Sequence, residues 1–262
     1  MASEQLKGAA RSSEAPATHT NNSASHTLSL VSPNMAEHLV LMCASALFAG
    51  LEERDCKEIV SCARARTFAR DELLFVQGQP VRSLVLLQSG SVKHTQLSSS
   101  GNEVLLWMSG TGDAVNIEPE SACNHTCSAR AVERCRALVW EYKRLQTVLG
   151  QYPVIRRNIS LILAARLHEL EERFREMATE KVAKRLALTL LRLLKRVGKP
   201  GRTGVEISLT REELAQMTGT TLFTISRVLS AWAEKGLVQP KRQGVVISDP
   251  ARLESLPDAG DV

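Results

Sequence analysis

The sequence predicts an α+β chain: a small antiparallel barrel or roll, then a long helix, then a helix-turn-helix closed by a strand pair. Three observations predict it. Between Thr67 and Trp140, short apolar runs are punctuated by Gly78, Gly90, Gly101, Gly110 and Gly112, the turn signals of an antiparallel roll. Further on, Leu163, Leu167, Leu170, Phe174 and Met177 step by 4, 3, 4 and 3, a helical seam of coiled-coil period. Last, "LTREELAQMTGTTLFTISRVL" spaces a small residue, a glycine and two buried aliphatics as a helix-turn-helix requires.

Composition sets the frame. Of 262 residues, 44% are hydrophobic and 23% charged, values of an ordinary globular chain of one or two domains. The net charge of +5 is uneven: Thr179 to Val262 carries 14 Lys and Arg against 9 Asp and Glu, while the first 178 residues carry 19 of each. That asymmetry points the last third toward a polyanion. The apolar run Leu39 to Leu51 is broken by Ser45 and too short to cross a bilayer. With no basic-then-apolar leader either, a cytoplasmic protein without membrane contact is expected. In a reducing compartment the six Cys are expected as free thiols.

Each element follows in order. Residues 1–35 are rich in Ser, Thr, Ala and Asn and are expected as a disordered tail. Residues 36–150 form the roll domain. Within it, 36–66 reads as two short helical pieces broken at "LFAGL", and strands are expected in "ELLFVQGQP", "SLVLLQSGSVKHTQL", "SSGNEVLLWMSGTGD" and "SARAVERCRALVWEY". Residues 151–178 form the long helix, with Pro153 in its first turn. The narrow stripe Leu163, Leu167, Leu170, Phe174 and Met177, flanked by Arg166, Glu169, Glu171, Glu172, Arg173 and Arg175, calls for a partner helix and hence a homodimer. Residues 179–256 form the last domain: a helix over 179–197 with Val182, Leu186, Leu190, Leu193 and Leu194 inward, a loop over 198–204, the strand "VEISL", and a strand pair turning at Gln243-Gly244. Residues 257–262 are a tail.

The helix-turn-helix makes local demands. Thr210 and Glu213 form a capping box. Ala215 is the small residue at the helix crossing, and Gly219 suits a left-handed turn. Ile225, Val228, Leu229 and Trp232 share one face of the second helix. Phe223, Arg227, Ser230 and Glu234 share the opposite face, and Leu222 and Ser226 lie on the flanks. Phe223 is thus expected outward at the end that meets base edges, where it fits thymine methyl groups; Leu222 reads equally as a core-edge residue. Arg227 suits guanine O6 and N7. Thr221, Thr224, Arg211, Lys241 and Arg242 are candidate phosphate contacts, which position without specifying.

From about Leu47 to Ile247 the chain resembles the bacterial transcription regulators of the Crp/Fnr superfamily. "LFVQGQP…LVLLQSGSVKHTQLSSSGNEVLLWMSGTGD" resembles their cyclic-nucleotide-binding-like roll, a double-stranded β-helix, and "LTREELAQMTGTTLFTISRVLSAWAEKGLV" their winged helix-turn-helix. The resemblance implies a homodimeric activator or repressor on an approximately palindromic operator in double-stranded DNA, working with RNA polymerase. An effector signal would pass from roll to DNA through the long helix. The departures are specific. Cyclic-nucleotide-binding members follow the Gly-Asp turn with Gly-Glu; here Gly112-Asp113 leads to Asn116-Ile117. Their Arg-Ser or Arg-Thr pair is here Cys127-Ser128. Without that acid and that cation, a buried cyclic phosphate has no charge partner, which argues against cyclic AMP. The N-terminal Cys run of the iron–sulfur members is absent, since the first Cys is Cys43. Arg227 is retained where relatives also carry an Arg-Glu pair, here Leu222-Phe223.

One chemical constellation stands apart. "CNHTC" places Cys123, His125 and Cys127 within five positions, with Cys135 downstream. In an extended segment all three point to one face. The set suits zinc, iron or a redox thiol pair, or is a loop with incidental thiols; His94 is a further candidate haem ligand. The leading reading is a regulator gated by an effector other than cyclic AMP, a redox or nitric-oxide type signal among them. A regulator with a vestigial pocket is the alternative. A metal-dependent roll enzyme fused to a DNA-binding domain would need a paired His-x-His set, which the roll lacks, so no catalytic activity is expected.

Overall fold

The computed structural model describes residues 35–117 and 124–255. The expected N-terminal tail apart from Met35, the residues from 256 onward, and Cys123 lie outside the described residues. The chain opens with α1 (Met35–Ala44), a short 3-10 turn (Ala46–Phe48) and α2 (Glu53–Ser61). The roll follows: β1 (Arg64–Phe68), β2 (Leu73–Phe75), β3 (Ser83–Ser89), β4 (Val92–Leu97), β5 (Glu103–Ser109), β6 (Ser128–Ala131) and β7 (Cys135–Glu141). The helical reading of 36–66 runs too far, because Arg64–Arg66 already pair with β7. An edge strand accepts such charged residues.

Two antiparallel sheets make the roll, β1-β7-β3 and β2-β6-β4-β5. β3 reads as a continuous apolar run because both its faces are buried. Val85 and Leu87 point into the roll with Phe68, Val92, Ala131 and Ala137, whereas Leu84 and Leu86 point to the helices. There Trp140, fully buried, donates from Nε1 to the Ile59 carbonyl at 2.8 Å and meets Phe48 at 5.6 Å. A bulge breaks the register of β5 against β4 between Leu105 and Trp107. The extra residue re-aims the strand, so that Leu105 and Met108 share the side away from Trp107. Both join the core of the C-terminal domain.

A helix the sequence reading did not separate, α3 (Tyr142–Gln151), leads to α4 (Pro153–Thr179), 27 residues long with Pro153 at its N-terminus. Asn158 anchors its start, donating to the carbonyls of Leu47 and Ala49 at 3.0 and 2.8 Å. The next helix begins later than expected. Thr179 ends α4, Glu180 is extended, and α5 spans Val182–Val197. Within the expected loop, β8 (Lys199–Pro200) pairs with β9 (Val205–Ile207). Then come α6 (Arg211–Thr218), α7 (Leu222–Glu234), β10 (Val238–Lys241), β11 (Gly244–Ile247) and α8 (Pro250–Glu254). The last sheet has the order β10-β11-β9-β8. Its hairpin is the wing.

Roll and winged domain are packed together. Gly110, at the end of β5, lies so close to the Arg196 carbonyl that a Cβ there would overlap it. Lys93 of β4 reaches Glu213 of α6 at 2.7 Å, Lys199 pairs with Glu133, and Arg70 donates to Gln243 in the wing turn at 3.0 Å.

Candidate functional site

The capping box is present at α6: the Thr210 hydroxyl accepts from the Glu213 N–H at 3.2 Å, and the Glu213 carboxylate accepts from the Thr210 N–H at 2.8 Å. Such caps contribute about 0.5–2 kcal/mol. Gly219 ends the helix in the left-handed region, φ 60° and ψ 47°. Ala215, Ile225, Val228, Leu229 and Trp232 are buried. The frame of α7 is therefore set by local packing, and it leaves one face outward.

On that face Phe223 is 82% exposed, and Arg227, Ser230 and Glu234 are exposed with it. Leu222 is 42% exposed, on the outward side of its two readings. Ser226 and Thr224 are half-buried. Thr221 and Thr224 cap the helix; the Thr221 hydroxyl accepts from the Thr224 N–H at 3.2 Å. Arg211, Lys241 and Arg242 are exposed around this end, and Lys241 pairs with Glu206 at 2.5 Å.

α4 carries two stripes. Leu163, Leu167, Leu170, Phe174 and Met177 are all exposed, Phe174 most at 74%. The second stripe, Arg166, Glu169, Arg173 and Glu176, steps by 3, 4 and 3 and turns toward the rest of the chain. The sequence reading left Arg166, Glu169 and Arg173 as seam flanks; the structure gives them other work. Arg166 donates to the Ala114 carbonyl at 2.9 Å and Arg173 to the Leu106 carbonyl. Glu169 pairs with Arg196 at 3.3 Å. Glu176, buried, takes both ends of the Arg192 guanidinium at 2.8 and 2.7 Å. The regular 3-4-3 spacing of the charged residues was the signal available in the sequence.

Between this stripe and the roll lies a cavity of about 520 Å³, walled by Phe75, Trp107, Val115, Ile117, Cys127 and the leucines of α4, with Arg166, Arg173 and Arg196 among its polar groups. A second cavity, about 410 Å³, sits between roll and winged domain and shares Trp107, Glu169, Arg173 and Arg196 with the first. Asn116 and Ile117 are buried. Asn116 accepts from the Val85 N–H at 3.0 Å, and Ile117 packs into the helix-covered core.

Of the Cys/His set, the described members His125, Cys127 and Cys135 do not assemble as one face. The chain bends at Thr126 and Cys127 rather than running extended. His125 stacks on Phe75 at 3.9 Å, and Cys127 Sγ lies 3.8 Å from His94 Nδ1. Cys135, in the roll interior, gives its thiol to the carbonyls of Ser91 and Glu133, both at 3.3 Å. Among the described residues no three His, Cys, Asp or Glu side chains come together as metal ligands. Burial first, then the Glu133 carboxylate, raises the Cys135 thiol above its ordinary range. Burial, with Cys43 and Asp55 nearby, pushes Cys56 up to about 11. Both thiols are thereby held away from the reactive thiolate. His94 is fully buried, 2.9 Å from the Ser109 hydroxyl and stacked on Trp107 at 4.5 Å. Burial, then the charges of Arg166 and Arg196, keep its imidazole neutral. Both ring nitrogens are occupied by the protein, so His94 is placed as a packing residue.

Comparison with known proteins agrees with this arrangement. Residues 65–152 match the model of the cyclic nucleotide-binding domain, and residues 184–256 that of the Crp-like helix-turn-helix domain. The chain is 27% identical over 216 residues to a CRP-like cAMP-activated global transcriptional regulator of Mycobacterium tuberculosis, covering 81% of this chain and 96% of that protein. It is 28% identical over 218 residues to the cyclic AMP receptor protein of Thermus thermophilus, covering 82% and 98%. The solved structure of FixK2 from Bradyrhizobium japonicum superposes with a TM-score of 0.65 at 21% identity, covering 76% of this chain and 99% of that one, a likeness of fold.

Proposed function

Because the chain belongs to the Crp/Fnr superfamily of DNA-binding transcription regulators, we propose that it acts as a cytoplasmic homodimer on an approximately palindromic operator, working with RNA polymerase. We further propose that its signal is an effector other than cyclic AMP, bound in the roll cavity. The observation that carries the DNA reading is the outward face of α7, where Phe223 and Arg227 stand exposed while Ile225, Val228 and Trp232 hold the helix from behind. Arg227 then donates two hydrogen bonds to a guanine, and Leu222 and Phe223 meet thymine methyl groups where relatives of this superfamily use charge. Arg211, Arg242 and Thr224 meet phosphates. The exposed stripe Leu163, Leu167, Leu170, Phe174 and Met177 supports dimerisation, since so contiguous an apolar strip is costly in water.

The effector reading rests on the cavity. Its volume lies within the ~300–1,000 Å³ usual for small-molecule sites, and its wall residues Trp107, Arg173 and Arg196 also face the winged domain. A ligand that moves them changes how α5 and α6 seat. An open volume of this size favours a bound small molecule over the vestigial-pocket reading, and the raised thiols of Cys56 and Cys135 disfavour a redox or nitric-oxide signal at those two cysteines. The neutral Asn116, Ile117 and Cys127 stand against a cyclic phosphate. As in the named relatives, the role is regulatory rather than enzymatic.

The test is selection of an operator from randomised duplex DNA, followed by retardation across a salt series. A palindromic site should emerge, with affinity falling on the order of 10³-fold between 50 and 200 mM salt. Arg227→Ala should weaken discrimination at one symmetric base pair by ~1–3 kcal/mol, roughly 5- to 150-fold. Full selectivity in that variant would sink the assignment of α7.

A further inference from the structure

The cavity carries a pattern that narrows its ligand. Nine of its sixteen wall residues are apolar: Phe75, Leu106, Trp107, Val115, Ile117, Cys127, Leu163, Leu167 and Leu170. Most polar groups on the wall are already matched. Asn116 is held by β3, Gln96 donates to the Thr126 carbonyl at 3.2 Å, and Arg196 is neutralised by Glu169 and Asp113. Arg166 and Arg173 differ. They lie seven residues apart on one helix face, both half-buried, and each gives one bond to a main-chain carbonyl. Among the described residues neither forms an ion pair. A guanidinium has five N–H donors, so both keep donors in reserve against an apolar wall. A third donor stands beside them. The Trp107 Nε1–H is buried with no acceptor among the described residues, and the Arg166 guanidinium lies over its ring at 5.7 Å.

Glu169, with Asp113 for Arg166 and Glu176 for Arg173, offsets part of their charge, but these carboxylates are ion-paired to Arg196 and Arg192, and two half-buried cations with no ion pair of their own are unfavourable. Burial first, and then a neighbouring arginine (Arg196 for Arg166, Arg192 for Arg173), lower the proton affinity of both guanidinium groups. A bound anion would relieve that repulsion, and a wall of aromatic and branched side chains would take an apolar body behind it.

We propose that this cavity binds a small organic anion with an apolar body. Arg166 and Arg173 receive its acid group, and Phe75, Trp107, Ile117 and Leu167 enclose the remainder. This rests on the reading of the cavity as the effector site. Carboxylate is the fitting acid, because its two oxygens match the planar fork of a guanidinium. The ligand binds no further protein charge. It draws Arg173 away from the Leu106 carbonyl, beside the bulge that aims Leu105 and Met108 into the winged domain, which is how occupancy reaches α5 and α6.

The experiment uses the full chain and a fluorescent apolar anion, 1-anilinonaphthalene-8-sulfonate, displaced by a matched pair: 1-naphthaleneacetate and the neutral 2-(1-naphthyl)ethanol. The acid should displace the dye at a concentration at least tenfold below the alcohol, and cyclic AMP should not displace it over that range. In Arg166→Gln/Arg173→Gln the acid's advantage should fall below twofold while the alcohol shifts little. If that variant loses its cooperative melt, Arg166→Lys/Arg173→Lys takes its place and should keep part of the advantage. Equal displacement by acid and alcohol, or an advantage that survives the Gln variant, overturns the anion class and leaves the effector site standing. No dye binding and no displacement, in protein that still retards its operator, overturns the effector-site reading itself.

Discussion

The winged domain and the roll cavity are built on opposite principles. Every side chain proposed to read bases in the first sits within one short stretch: Thr210, Glu213, Ala215 and Gly219 position α7, and Phe223 and Arg227 lie on α7 itself. The cavity instead draws its wall from β2, β4, β5, residues 115–117 and 126–127, α4, and Arg196 of α5. A local frame tolerates changes elsewhere and specifies a rigid shape. A site gathered from distant segments changes shape whenever those segments shift, which is what a sensor requires. The charged stripe of α4 is the joint between the two, since Arg166 and Arg173 reach carbonyls of the roll while Glu169 and Glu176 hold Arg196 and Arg192 of α5.

Breaking that joint should have the largest effect. Glu176 is 5% exposed and takes Arg192 bidentately at 2.7 and 2.8 Å. Arg192→Ala leaves a buried carboxylate uncompensated, a loss of about 3–5 kcal/mol. Chemical denaturation of the full chain should show that loss, with the winged domain unfolding before the roll. A loss under about 1 kcal/mol would place the pair with solvent-screened bridges and remove α4 as a joint.

A middle-sized effect sharpens the local side. At Gly219 any side chain must adopt φ 60°, costing about 1–2 kcal/mol, and its Cβ would meet the Met177 methyl at 2.5 Å. Gly219→Ala should lower the melting temperature and weaken operator binding uniformly across sequences, since it tilts α7 without touching Arg227. Met177→Ala in the same chain should return part of the loss by opening that space. Loss of selectivity at one base pair only would contradict this account.

The two regions were unequally legible for the same physical reason. Helix period, the capping box, Gly219 and the outward Arg227 depend on residues a few positions apart, so the order of residues displays them. The leucine stripe was legible too, because α4 keeps its 3.5-residue period whatever it packs on. Lys93 and Gly110 were not legible: each acts on a residue far along the chain, Glu213 and Arg196. Nor was the bulge at Leu106, which depends on the register of β4. Arg166 and Arg173 were visible as charges on α4, but their roles depend on which side of α4 the roll occupies.

The smallest effect tests whether roll and winged domain are coupled in solution through Lys93. Burial by itself would raise the Glu213 carboxyl; the Lys93 ammonium and the N–H and hydroxyl of Thr210 outweigh it and hold the carboxyl below its ordinary 4.5. A carboxyl lowered by folding stabilises the folded state above its unfolded pKa, and that contribution is lost as pH falls through the folded value. Lys93→Met removes the main lowering partner, so the folded value moves back toward or above 4.5. The variant should be less stable than the parent at pH 7 by on the order of 0.5–1 kcal/mol, given that both side chains keep some solvent contact. The gap should close only as pH falls below 4.5 and through the parent's lowered folded value, where both proteins carry a protonated Glu213. Thr210→Ala, which removes a cap bond within α6 itself, should destabilise with or without Lys93. If the two changes add within about 0.3–0.5 kcal/mol, Glu213 serves the cap and the interdomain contact as separate functions. A larger interaction term means that the roll tightens the cap of α6 through this one carboxylate.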